Sequence, residues 1–162
     1  MFVQKYYGMS ETDVFDRVGA NLKMTEFQAA MGICNLKHID NEIKKRSFAA
    51  KRYIERLNNV SGLKIWKEQE NVLHNYAYFP VFFDKNKFGK SRDEVLVELA
   101  HNDIFARKYF YPITSEFECY QNFNINDTPV AKQLSDSVLT LPLYADLTVE
   151  DVDLICDIIL KQ

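Results

Sequence analysis

The order of elements legible in this sequence of 162 residues predicts an α+β fold within the broader α/β class: a long helix, then a small, mostly antiparallel sheet with helices on one face. Three observations carry it. Capping-box signatures at Thr25/Gln28, Ser91/Glu94 and Thr148/Asp151 mark helix starts, because each pairs a hydroxyl with a side chain that answers the free backbone N–H groups of a first turn. Apolar residues recur at spacings of three and four over 25–58, a helical period. Between the helices lie short, strongly apolar runs bounded by turn residues, which read as strands.

Residues 1–24 lack sustained periodicity and read as an irregular lead-in, which leaves 25–162 as one small domain. From Thr25 to about Asn58 there is no proline, and Met31, Leu36, Ile39, Ile43, Ala50, Tyr53, Ile54 and Leu57 form the stripe. An unbroken helix here is about 50 Å long at 1.5 Å per residue; the pattern also admits two helices broken near residues 37–40. Residues 58–62 are a turn, and 63–67 and 76–83 are strands, with Pro80 suited to an edge or bulge. Residues 84–90 form a charged loop, and the Ser91 box opens a helix to about His101. The next strand covers 104–111 and ends at Pro112. The asparagine-rich stretch over 115–128 is a loop. Thr128 then caps a helix with Pro129 in its first position, a favoured start. Residues 138–141 are a short strand, and the last helix presents Val152, Ile155, Cys156 and Ile159.

Composition excludes several function classes. Hydrophobic residues make up 47% and charged residues 27%, with a net charge of −3, so there is no basic excess for nucleic acid. No apolar run approaches the roughly 20 residues of a membrane span. Cys34, Cys119 and Cys156 are widely spaced without a CxxC pair, which fits a reduced, cytoplasmic protein and no zinc site. His38, His74 and His101 show no metal-ligand spacing.

Two stretches carry candidate chemistry. Gly19-Ala20-Asn21-Leu22-Lys23-Met24 directly precedes the Thr25 cap, and a helix N-terminus with an amide donor and a lysine suits an anion such as phosphate. The same residues also suit a plain Gly-Asn turn leading into a helix. Arg107-Lys108-Tyr109-Phe110-Tyr111-Pro112 places two cations and two phenols at a strand end. Strand alternation sets Arg107, Tyr109 and Tyr111 on one face and Lys108 and Phe110 on the other. That is either a polar wall for a phosphate or sugar, or an edge strand with solvated charges.

Both stretches resemble motifs of one family. The run from Gly19 to Gly32 resembles the G-x-N-x-[KR]-M-[ST]-E-x-x-A-A-x-G segment of DegT/StrS sugar aminotransferases, with Arg46 following on the helix. Arg107-Lys108-Tyr109-Phe110-Tyr111-Pro112 resembles its aromatic strand before proline. Leu141-Pro142-Leu143-Tyr144, Leu147-Thr148 and Glu150-Asp151-Val152 are similar to its LPLY-x-x-LT-x-ED-V ending. The resemblance implies the C-terminal domain of a fold type I, pyridoxal-phosphate-dependent enzyme, with residues 1–24 as the remnant of its junction with the large domain. It implies transfer of an amino group, usually from glutamate, to a nucleotide-linked keto sugar, by a homodimer or higher oligomer with sites at the subunit interface. It implies that Asn21 reaches the cofactor phosphate of the neighbouring subunit, and that Lys23, Tyr109, Tyr111 and Arg107 lie near the substrate.

The departure from the family pattern is the Schiff-base lysine. The family carries it in a segment before the first motif, and here only Lys5 precedes Lys23, in surroundings that do not match. The aspartate that pairs with the pyridine nitrogen and the ring-stacking aromatic are likewise missing from this stretch. The expectation is therefore an enzyme fragment that binds no cofactor covalently and is inactive alone. The alternative is a non-catalytic relic acting in dimerisation or binding.

Overall fold

The computed structural model describes residues 9–11, 14–15, 18, 20, 23–67, 69–120 and 127–161. They fall into two compact units, Met1–Asp40 and Asn41–Gln162.

In the first unit, β1 (Met9–Glu11) and β2 (Val14–Phe15) pair antiparallel within the stretch expected to be irregular. Helix α1 (Glu26–Leu36) starts at Thr25 with the expected box: the Gln28 N–H donates to the Thr25 hydroxyl, and the Thr25 N–H donates to the Gln28 side chain. Asn21, with Gly19 and Leu22 of its motif, lies outside the described residues.

The helical stretch over 25–58 is two helices, α1 and α2 (Ile39–Leu57). At the break, the Lys37 and His38 N–H groups reach back only three residues, to Cys34 and Asn35. That tight turn ends an α-helix without a proline. Asn35, Asp40 and Asn41 flank it, and such side chains compete for backbone groups and disfavour helix interiors.

The second unit is built on a three-stranded antiparallel sheet in the order β3 (Leu63–Ile65), β4 (Phe79–Phe83), β5 (Val138–Leu141). Register explains its two faces. Phe79, Val81 and Phe83 alternate with Pro80 and Phe82, and Phe79 and Val81 stand opposite Leu141 and Leu139. These five apolar residues face the main core. Ala49, Ala50, Tyr53 and Leu57 of α2 close on it, with Val95 and Leu99 of α4 (Arg92–Ala100) and Val152, Ile155, Cys156 and Ile159 of α6 (Val149–Leu160). The apolar stripe expected for the last helix is thus wholly buried. Outside it, Arg52 forks onto Asp153 at 2.8 and 2.9 Å and Arg56 adds 2.7 Å, which ties α2 to α6.

Pro80 sits in the central strand rather than at an edge, and the register shows why this is tolerated. Pairing of β3 with β4 ends at Ile65↔Val81, so Pro80 has a strand on one side only. Its partner Thr140 directs its own N–H and C=O to Arg107 instead. The missing N–H therefore interrupts no ladder bond.

The charged loop over 84–90 contains one turn of helix, α3 (Lys85–Phe88), closed by Gly89 at φ +94°. Helix α5 (Pro129–Ser137) begins with Pro129 in the first turn as expected, but Thr128 makes no side-chain cap: its backbone, at φ −128° and ψ 60°, departs from the extended conformation from which a cap side chain reaches the next N–H groups. The loop over 115–128 has 3₁₀ turns at Thr114–Glu116 and Glu118–Tyr120; its asparagines lie outside the described residues.

The Ser91 box carries a pH prediction. Ser91 donates to the Glu94 carboxylate through its hydroxyl and its N–H, both at 2.6 Å, with Lys85 at 3.0 Å, and these bonds pull the Glu94 carboxyl down to about 2. A folded value below the unfolded one means stabilisation that is complete above about pH 4.5 and lost as pH falls through about 2. Glu94→Gln should flatten that acid limb, read as the urea midpoint measured at successive pH values.

Among the described residues, no helix is long and apolar enough to cross a membrane, and no group of three His, Cys, Asp or Glu side chains is placed to hold a metal. His38 and His101 are exposed. His74 packs against Trp66 with ring centroids 4.1 Å apart at a tilt of 35° and accepts the Tyr76 N–H, a structural role.

Candidate functional site

The strand expected over 104–111 is reduced to one bridge. Arg107 and Thr140 exchange both backbone hydrogen bonds, at 3.0 and 2.8 Å, and the ladder stops there. The next rung of an antiparallel pair would join Tyr109 to Val138. Both backbone groups of Val138 are already taken: its N–H closes α5 on Leu134, and its carbonyl accepts from Arg92 Nη1 at 3.0 Å. Released from the sheet, the chain turns, with the Tyr111 N–H donating to Lys108 at 2.8 Å.

That turn builds a groove of about 830 Å³ on the second face of the sheet. Pro80 and Phe82 form its floor with Val138, Leu134 lines it from α5, and Tyr109 and Phe110 stand along its wall. Tyr109 stacks on Phe110 at 4.9 Å, and Tyr78 meets both rings edge-on at 5.5 and 6.5 Å. Phe110 is 71% exposed and Tyr78 53%, a large apolar surface for a solvated loop.

The expected single face of Arg107, Tyr109 and Tyr111 does not form, because strand alternation fails with the strand. Arg107 does hydrogen-bond the Tyr109 hydroxyl and lies 5.5 Å from its ring centroid. Tyr111 instead joins Lys108, from the opposite set. Its ring is flanked by three cations, Arg92 at 4.9 Å, Lys108 at 5.4 Å and Lys132 at 5.7 Å. Carboxylates balance them. Lys108 pairs with Asp93, which lowers the Asp93 carboxyl, and Lys132 pairs with Glu116 at 2.6 Å and Asp136 at 3.0 Å, which raises the Lys132 ammonium. Lys23 is exposed in the first unit, just before Thr25.

Arg92 was not among the sequence candidates. It is only 3% exposed and donates to the carbonyls of Ser135 at 3.1 Å and Val138 at 3.0 Å. One signal was available: a cation in the first turn of a helix opposes the helix dipole, so something else must hold it there.

The described residues lining the groove are apolar, aromatic or hydroxyl-bearing, with no lysine amine and no carboxylate. They suit a planar, partly polar ligand. They do not fit pyridoxal phosphate as its own site, which needs an amine and a carboxylate at the ring.

A small antiparallel sheet with α2, α4 and α6 on one face and this groove on the other is the architecture of part of a fold type I aminotransferase. It superposes on DesI, solved in the presence of its TDP-sugar product, with a TM-score of 0.87 and 25% identity, over 99% of this chain and 42% of that one. It also superposes on Helicobacter pylori PseC, an aminotransferase of pseudaminic acid biosynthesis, with a TM-score of 0.80 and 23% identity, over 99% and 44%. The model of the DegT/DnrJ/EryC1/StrS aminotransferase family matches residues 1–160, and the chain belongs to that family. Relatives include the dTDP-4-amino-4,6-dideoxy-D-glucose transaminase of Escherichia coli, 36% identical over 98% of this chain and 43% of that protein. The GDP-perosamine synthase of Vibrio cholerae is 28% identical over 89% and 39%. The chain thus spans about two fifths of the length of the curated relatives it matches. The family is pyridoxal-phosphate-dependent.

Proposed function

We propose that this chain is the C-terminal portion of an aminotransferase that moves an amino group, with glutamate as donor, onto a nucleotide-linked keto sugar. The observation that carries this reading is the 36% identity to the Escherichia coli transaminase along 98% of the chain. The groove supports it: Tyr109 stacks on the exposed Phe110 to offer a platform for a planar base, and Arg107, hydrogen-bonded to the Tyr109 hydroxyl, offers donors to phosphate or sugar oxygens. Tyr111 and Lys23 are the further substrate contacts. Asn21 donates to the phosphate of the cofactor bound by a neighbouring subunit, so the working form is a homodimer or higher oligomer in the cytoplasm. The amine and carboxylate that pyridoxal phosphate requires come from parts of the longer relatives that this chain does not span, and the chain alone is inactive.

Thymidine diphosphate is the probe. Titrated into the chain, it should give saturable NMR shifts at the Tyr109 and Phe110 rings. Phe110→Ala should weaken binding by about fivefold to a hundredfold, from roughly 1–3 kcal/mol of base stacking. Absence of saturation at millimolar concentration would count against the groove as the nucleotide site. Glutamate-dependent amino transfer by the chain mixed with pyridoxal phosphate alone would overturn the division of labour.

A further inference from the structure

Arg92 does not line the groove, yet three pieces of the groove's frame converge on it. Its Nη1 bridges the carbonyl of Ser135, near the end of α5, and that of Val138, the first residue of β5. Its guanidinium lies 4.9 Å from the centroid of the Tyr111 ring. Its Nε sits 2.9 Å from Asp93, the carboxylate that also pairs with Lys108. Ser135 in turn donates its hydroxyl to the carbonyl of Phe110 at 2.8 Å. One buried cation is therefore linked, directly or through a single neighbour, to Lys108, Phe110, Tyr111, Ser135 and Val138.

We propose that Arg92 is a positioning residue for the groove, acting as a side-chain substitute for the missing rung of the sheet. By occupying the Val138 carbonyl it denies Tyr109 a place in the ladder. By its cation–π contact with Tyr111 it holds the released turn over the second face, where Tyr109 and Phe110 form the wall. A guanidinium suits this task because the two N–H groups of Nη1 serve two carbonyls while its planar face can meet a ring. An ammonium offers no such face. This inference rests on the proposal that the groove takes a nucleotide, and it makes the shape of that groove depend on a residue the ligand never touches.

The test uses the full chain and three variants: Arg92→Leu, Arg92→Lys and Val95→Ala. The last removes buried methyl groups from the same helix without touching the strut. Amide hydrogen exchange is read at Arg107, Tyr111 and Val138 against the amides of α2 and α6, alongside thymidine diphosphate affinity. Arg92→Leu should accelerate exchange at the three groove amides by about tenfold or more beyond any change in α2 and α6. It should also weaken the nucleotide by about fivefold or more, the scale of losing a stacked base contact. Arg92→Lys should fall between it and the native chain. Val95→Ala should lower the melting temperature and leave both local readouts as in the native chain. Uniform exchange across the fold in Arg92→Leu, or the same local pattern in Val95→Ala, would reduce Arg92 to an ordinary core residue. Should Arg92→Leu fail to fold, Arg92→Lys decides, and native exchange at the three amides in that variant would refute the proposal. A native chain that binds no thymidine diphosphate would sink the nucleotide reading but leave the exchange result to judge Arg92.

Discussion

Replacing Tyr53 by alanine should cost the chain about 3–5 kcal/mol of unfolding free energy, the range for deleting a large buried aromatic ring. Tyr53 is fully buried on α2, stacks on Phe79 at 4.8 Å, and donates its hydroxyl to the Pro142 carbonyl at 3.1 Å. Burial raises its phenol well above the usual range, so it remains a neutral donor at any working pH. It joins α2 to the central strand and to the chain that leaves β5. Tyr53→Phe separates the two contributions. The ring and its stacking stay, one neutral hydrogen bond goes, and the loss should be only about 1–1.5 kcal/mol. Equilibrium urea unfolding of the two variants checks the pair. Equal losses would mean that the hydroxyl rather than the ring anchors the helix.

Changing Asn21 to alanine in a complete enzyme carrying this sequence should lower cofactor affinity by about tenfold to a hundredfold. One hydrogen bond to a charged phosphate is worth roughly 1.5–3 kcal/mol. Because Asn21 is proposed to serve the neighbouring subunit, the more informative experiment mixes this variant with one lacking the Schiff-base lysine. In a mixed dimer, one site receives both its lysine and its Asn21 from intact copies, and the other lacks both. Activity should therefore return on mixing two separately crippled proteins. If subunits exchange freely and no activity returns, Asn21 does not act across the interface.

The sequence by itself determined three helix starts and the buried face of the last helix, while Met31, Leu36 and Ile39 of the expected long stripe are exposed. The boxes at Thr25, Ser91 and Thr148 form as expected, and residues 138–141 are a strand with the expected bounds. These features are local: a cap needs a partner three residues away, and a stripe needs only the helical period. The family motifs were likewise legible, because each is a short contiguous run. Tertiary structure alone decided the groove. Residues 104–111 read as a strand because alternation is a local signal. Whether a strand pairs depends on a partner's free N–H and C=O, and at Val138 both are spoken for, one by Leu134 and one by Arg92. Arg92 lies 46 residues before Val138, so no window of sequence shows the two together. The loss of one rung leaves Tyr109 with Arg107 but moves Tyr111 to Lys108, and turns an expected polar strand face into the wall of a pocket.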